Sequence, residues 1–362
     1  MNAPADLSAD LNLQATARAL PKVLLHEHLD GGLRVATLLQ LLKQRGLNAP
    51  EPDETRLAAW FSANAHAGSL EKYLEGFALT VAAMASPAAM RRVAIEAAQD
   101  AHQEGAVLAE FRIAPLLFEA HGVSGEAAVE ALLQGLQDSP LPLLKQSGLI
   151  VCAMRHLPPS ETERAATLAL KYRDQGVVGF DLAGPENGFP AGAHKAALQR
   201  VLDGGLALTL HAGEADSAER VLEAGRLGAR RIGHGVRLVD ALNDPAKQDL
   251  VAEAQALGLH LEVCPTSNVH TGAARSIASH PITALWQAGV SLSYHTDNRL
   301  MSCISHPQEA AELLRHTPLT ARDLLAMAQH AARHSFLHEA QRQLALQAID
   351  KAARQGLGFA PN

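Results

Sequence analysis

The sequence predicts an α/β fold, a (β/α)8 TIM barrel with a helical insertion after the first strand, and three observations point that way. Eight short apolar runs recur along the chain, most are followed by an amphipathic stretch, and the length beyond a minimal barrel is concentrated in one region. Continuous apolar runs that alternate with helical segments indicate a parallel sheet covered on both faces. Eight of them suit a closed barrel, which typically needs roughly 250 residues.

Taken in order, the first run is VLLHEHLD, from Val23. Residues 31–105, which include GSLEKYLEGFALTVAAMA, read as several helices inserted at the barrel mouth. The second to fourth runs are VLAEFRIAP from Val107, GLIVCAMRH from Gly148 and VVGFDLAG from Val177. The fifth to eighth are LALTLHAGE from Leu206, RRIGHG from Arg230, LHLEVCPTS from Leu259 and VSLSYHTD from Val290. Segments such as AERVLEAGRLGA and PITALWQAG have the spacing of covering helices. No Pro/Ser-rich linker, internal repeat or low-complexity segment interrupts the chain, so residues 1–362 are expected to form one domain.

Composition narrows the function. The chain has 362 residues, is 48% hydrophobic and 19% charged, and carries a net charge of −7, with no Lys/Arg cluster of the kind that phosphate backbones require. Nucleic acid is therefore not the expected partner. No stretch is apolar for long enough to span a membrane, and the N-terminus lacks a basic patch followed by an apolar run, so a membrane partner is not expected and the cytoplasm is the expected location. The three cysteines, Cys152, Cys264 and Cys303, have neither the number nor the spacing of a disulfide framework or a thiolate metal site. Motifs for dinucleotide or P-loop binding are absent, and Cys264 in VCPTSN has no second cysteine to make a cytidine-deaminase zinc site.

Histidine is the outlier, with 18 in the chain. His66, His102, His194, His316, His330, His334 and His338 fall in helical stretches and read as solvated. Four others, His26, His28, His211 and His234, stand at strand ends. In a (β/α)8 barrel, catalytic residues stand where strands give way to the βα loops. Those positions hold His26 and His28 on the first run, Asp181 and Gly184 on the fourth, His211 and Glu214 on the fifth, His234 on the sixth and Asp297 on the eighth. On a strand, positions i and i+2 share a face, so His26 and His28 can both point to the barrel axis. That pair alone is weak evidence. With His211 and Asp297 it becomes three imidazoles and a carboxylate, a donor set that zinc prefers, with a position left for water. Water on zinc has a pKa near 7, which provides a hydroxide nucleophile at neutral pH. Glu214 is placed to pass a proton to a substrate, and His234 is placed either to take the proton of the water or to hold the hydroxide in line.

Together, LPKVLLHEHLDGGLR, VVGFDLAG, LHAGEA, RIGHGVRL and HTDN resemble the adenosine deaminase family of the metal-dependent amidohydrolase superfamily, from about Leu20 to beyond Met301. The resemblance implies one zinc ion held by His26, His28, His211 and Asp297. It implies that Glu214 protonates the purine ring nitrogen beside the attacked carbon, that His234 stabilises the hydroxide, and that Asp297 also orients it. The Gly184 amide would contact the purine, Asp30 would meet the ribose hydroxyl, and His28 would border the substrate. The substrate implied is a purine nucleoside, adenosine and possibly 2′-deoxyadenosine, hydrolysed to inosine and ammonia. The fourth run has no lysine to bridge two metals, in keeping with a single ion.

Two positions depart from the family pattern. Asn298 stands where a second aspartate is common, facing purine N7; an amide donates to this acceptor without first having to be protonated. His295 stands where Asn or Ser is usual. It reads either as a polar group behind the metal or as a strand residue facing the helices. These departures leave open a different aminopurine, an N6-substituted adenosine or free adenine, and a non-catalytic purine-binding barrel is a further alternative that the presence of Glu214 and His234 disfavours. CPTSN, at the end of the seventh run, is expected to shape the pocket wall, Glu110 and Arg112 to form a barrel ion pair, and His156 to support the site from behind.

Overall fold

The computed structural model describes residues 3–66, 70–138 and 147–356. All eight apolar runs are strands: β1 (Lys22–Leu24), β2 (Ala106–Ile113), β3 (Ser147–Met154), β4 (Val177–Ala183), β5 (Ala207–Ala212), β6 (Arg231–His234), β7 (His260–Val263) and β8 (Leu292–Tyr294). They pair in parallel and in chain order. Just past β1 and β8 the ring is completed, where His28 N donates to Asp297 O at 2.9 Å and Asp297 N donates to His26 O at 3.0 Å. The ladder that closes the barrel therefore runs through the residues that carry three of the candidate site's side chains.

Four helices, Val35–Gln44, Glu54–Ala65, Leu70–Met84 and Pro87–Gln103, lie between β1 and β2. The last starts at Ser86, whose Oγ accepts from Ala89 N, with Pro87 supplying a preset φ at the first helical position. Gly76 packs so closely on Met301 and Phe61 that a Cβ there would stand 2.5 Å from the Met301 sulfur. This contact ties the helices to the loop after β8. Among the described residues, no helix is long and apolar enough to cross a membrane.

The barrel interior is charged. Arg112 donates to Asp181 at 2.8 Å and to Glu262 at 2.6 Å, while Arg231 pairs with Glu110 and Glu262, each at 2.6 Å. All five are fully buried. The expected Glu110–Arg112 pair is thus corrected: side chains at i and i+2 share a face, yet each finds its partner on another strand across the barrel. Removing one member of such a buried pair costs roughly 3–5 kcal/mol, because the other charge is left behind.

The helical histidines also need correction. His194 is buried, with Nδ1 at 2.8 Å from Thr162 Oγ1 and Nε2 at 3.0 Å from Arg155 O. His334 stacks on His260 with ring centroids 4.4 Å apart. His194 is turned toward the neighbouring helix Pro159–Lys171 and His334 toward β7, a distinction that a locally polar sequence conceals.

Candidate metal centre and active site

Each of two inward-facing histidines is held by a buried carboxylate. His26 Nδ1 lies 2.8 Å from Glu262 Oε2, and His211 Nδ1 lies 3.0 Å from Asp181 Oδ2. Burial raises the pKa of both acids, but neighbouring positive groups more than reverse this. Arg112 and Arg231 hold Glu262, and His211 and Arg112 hold Asp181, well below the usual carboxylate range. Two anions therefore draw protons onto Nδ1, which leaves the Nε2 lone pairs of His26 and His211 pointing inward. His26 Nε2 is buried with no hydrogen-bond partner.

The inward atoms converge. His26 Nε2 is 3.4 Å and His28 Nε2 is 3.5 Å from Asp297 Oδ1, and His28 Nε2 is 3.3 Å from His211 Nε2. Donors each about 2.0–2.1 Å from one ion at a tetrahedral angle stand about 3.3–3.4 Å apart. The observed separations fit one shared cation, and an orphaned, buried Nε2 is the polar atom that such a cation would satisfy. His234 also comes close: possible ligand atoms of His26, His211, His234 and Asp297 all lie within 4.8 Å of one another. Backbone strain marks the same place, since His234 and Asp297 have φ of 65° and 59°, where side chains other than glycine are rarely found. Gly233 makes room for His26 and His211, because a Cβ there would be 2.9 Å from His26 Cε1 and 3.2 Å from His211 Cα.

A ring of polar groups surrounds the cluster. Glu214 Oε1 accepts from Asn268 Nδ2 at 3.0 Å and from Thr271 Oγ1 at 2.7 Å, while Oε2 lies 3.4 Å from His234 Nε2. Ser267 Oγ donates to Asp297 Oδ2 at 2.6 Å. Glu186, in the loop after β4, accepts the backbone N–H groups of Gly213, Glu214, Ala215 and Asp216. One carboxylate thus clamps the turn that presents Glu214. Three imidazoles and the carboxylates of Asp297 and the adjacent Glu214 form a site suited to activating water against an electrophilic carbon.

The adenosine deaminase family model matches residues 21–352. The chain belongs to the adenosine deaminase family. It is 40% identical over 349 residues to an adenosine deaminase of Mycobacterium avium, covering 91% of this chain and 94% of that one. An adenosine deaminase of Mycobacterium tuberculosis is 41% identical over 339 residues, covering 90% and 92%. Among solved structures, the N6-mAMP deaminase of Arabidopsis superposes with a TM-score of 0.80 at 26% identity, covering 92% of this chain and 99% of that one. The family is metal-dependent, in keeping with the donor set found here.

Within this adenosine deaminase framework the other expected residues are distributed as follows. Asp30 sits in a buried turn after His28, with Oδ1 lacking a hydrogen-bond partner, and burial raises its pKa to about 7. Gly184 follows β4 with φ of 96°. Asn298 packs on Gly31, where a Cβ would stand 2.2 Å from its Oδ1. His295 faces away from the cluster: Nδ1 accepts from Leu25 N at 3.3 Å and Nε2 meets Ser293 Oγ at 2.7 Å. Ser293 leads on through His260 to Ser291 and His330, so His295 belongs to a polar chain beneath the helix Ala321–His334, which decides between its two readings. His156 is exposed beside Gly184 and Phe189, at the rim and not behind the site. Sequence reasoning missed Glu186 and Thr271, and it gave Ser267 and Asn268 only as part of CPTSN, the stretch expected to shape the pocket wall.

Proposed function

We propose that this chain is a zinc-dependent aminohydrolase that converts adenosine, and 2′-deoxyadenosine, to inosine or its deoxy counterpart and ammonia, with one ion per chain held by His26, His28, His211 and Asp297. A zinc ion in that position supplies a Lewis acid that makes water strongly nucleophilic near neutral pH. The observation that carries the reading is the placement of Glu214 beside this donor set. Two neutral donors occupy Oε1, so its transferable proton belongs on Oε2, the oxygen that faces His234. From there it passes to the purine ring nitrogen next to C6 as the oxygen of water adds to that carbon, with one proton of the water passing to Asp297. The C6–N bond then breaks: the exocyclic nitrogen takes that proton and leaves as ammonia, and the proton of the new C6 hydroxyl returns to Glu214 as the carbonyl forms. Asp297, held by Ser267, aims the oxygen, and His234 contacts it from the side.

The same geometry supports the substrate contacts. The buried Asp30 oxygen without a partner suits a ribose hydroxyl, Asn298 can donate to N7, the Gly184 amide would meet the purine edge, and His28, 14% exposed at its side chain, borders the cleft. The 40% identity to adenosine deaminases favours adenosine over the N6-substituted nucleotide named for the Arabidopsis neighbour. Ammonia release measured in parallel on adenosine, 2′-deoxyadenosine, adenine, N6-methyladenosine and N6-methyl-AMP tests this reading. The highest kcat/KM is expected on the first two, and a preference for any other substrate overturns it. Glu214→Gln is expected to lower kcat by at least about 10²-fold with the metal retained, the usual scale for losing a general acid; a full rate in that variant would remove the mechanism.

A further inference from the structure

A chain of hydrogen bonds runs from a backbone amide to His234, and each link sets the direction of the next. The amide of Ile282 can only donate, and it donates to His280 Nδ1 at 3.0 Å. His280 is buried and burial lowers its pKa to about 3, so the ring is neutral. A neutral imidazole that accepts at Nδ1 carries its proton on Nε2. That Nε2 lies 3.3 Å from Asn268 Oδ1, which accepts. The Asn268 amide is thereby oriented, with Nδ2 at 3.0 Å from Glu214 Oε1 and 3.1 Å from His234 Nδ1. Reversed, it would set oxygen against the Glu214 carboxylate and NH2 against the His280 N–H, two mismatches in a buried place. Both Nδ2 protons are therefore spent, and His234 Nδ1 must accept one of them. The proton of neutral His234 stands on Nε2, the nitrogen that faces the cluster.

We propose that His280, acting through Asn268, is a positioning residue that locks His234 in its Nε2–H tautomer and makes it a hydrogen-bond donor to the attacking oxygen rather than the base that takes its proton. A base at Nε2 would need its proton on Nδ1, directly against the Asn268 NH2. The same lock explains why His234, though close to the inward donors, offers no lone pair to a cation and leaves that task to the other three imidazoles. The proton positions rest on the hydrogen-bond geometry and on the burial of His280, and only their kinetic consequence rests on the deaminase reading.

The test is long-range 1H–15N correlation on protein labelled at the histidine rings, recorded metal-depleted and metal-loaded, with His234 assigned by its loss in His234→Gln. Nε2–H is expected in the wild type. His280→Phe removes the donor to Asn268 and is expected to give mixed tautomers, with kcat lowered about 10- to 100-fold, as for other groups that orient a reacting residue, and KM within about threefold. His280→Gln keeps a donor at that place and is expected to restore the tautomer and most of the lost rate. Asn268→Asp puts an acceptor opposite Nδ1 and is expected to reverse the tautomer. Nδ1–H in the wild type overturns the proposal, as does a His280→Phe protein that keeps both tautomer and kcat. Should His280→Phe fail to fold, retention of Nε2–H in Asn268→Asp is the overturning result. Absence of turnover on every aminopurine would refute the deaminase reading while the spectra still decide the tautomer.

Discussion

Replacing Glu186 by glutamine changes one oxygen for an NH2 and removes one charge, and the structure says what each change does. Oε2 accepts from the amides of Glu214, Ala215 and Asp216 at 2.9, 2.7 and 3.2 Å, and Oε1 accepts from Gly213. Hydrogen bonds to a charged acceptor contribute about 1.5–3 kcal/mol and neutral ones about 0.5–1.5, so the three bonds to Oε2 each weaken by about 1 kcal/mol. The NH2 meets the Gly213 N–H, and that amide, left without an acceptor, costs about 1–3 kcal/mol more. Part of this loss is offset, because an amide is easier to desolvate than a carboxylate. The net is a loosened turn whose central residue is Glu214. A displacement of about 1 Å of a reacting group costs roughly 10²-fold in rate. The expected result is therefore a kcat lowered by about 10- to 100-fold, with KM and bound metal unchanged, because no donor of the cluster lies on that turn. Steady-state ammonia release and metal analysis of the same preparation provide the assay. A Glu186→Gln enzyme with kcat within about twofold of the wild type would refute the reasoning.

Asp181→Asn keeps an acceptor for His211 but removes the anion that holds its proton on Nδ1, so metal affinity should fall about 10- to 100-fold in chelator competition. Gly233→Ala places a methyl 2.9 Å from His26 Cε1 and 3.2 Å from His211 Cα, and should reduce both bound metal and melting temperature, read by metal analysis and calorimetry. Glu309 is buried, and burial raises its pKa to about 8 although Thr266 N donates to it. The folded state then binds a proton that the unfolded state has already released between about pH 4.5 and 8, so stability falls as pH rises through that window. Denaturant titrations should show this decline in the wild type and a flatter profile in Glu309→Gln; parallel profiles would contradict it.

Much of the fold was legible because a strand buried on both faces is a local property. Runs such as VVGFDLAG and LALTLHAGE carry their own signal, and every one of the eight became a strand. The candidate site was legible for a related reason. Polar residues that stop an apolar run stand where a barrel gathers its strand ends, so His26, His28, His211, His234 and Asp297 could be picked out before their distances were known. Ser267 and Asn268 were visible only as part of CPTSN, and Thr271 and Glu186 not at all, because a residue that holds a group on another loop has no spacing relation to it.

The sequence by itself determined which chemical groups end the strands and in what order, since alternation along a strand and the sharp end of an apolar run are set by neighbours in the chain. Tertiary structure alone decided their pairings and their protons. Arg112 could have met Glu110, two residues away, yet it met Asp181 and Glu262 because barrel closure brought those strands opposite. His295 could have faced the inward cluster, yet it turned away to Ser293. Which nitrogen of His234 carries hydrogen depends on an amide at Ile282, 48 residues further on, because the polarity of a hydrogen bond passes only through atoms in contact.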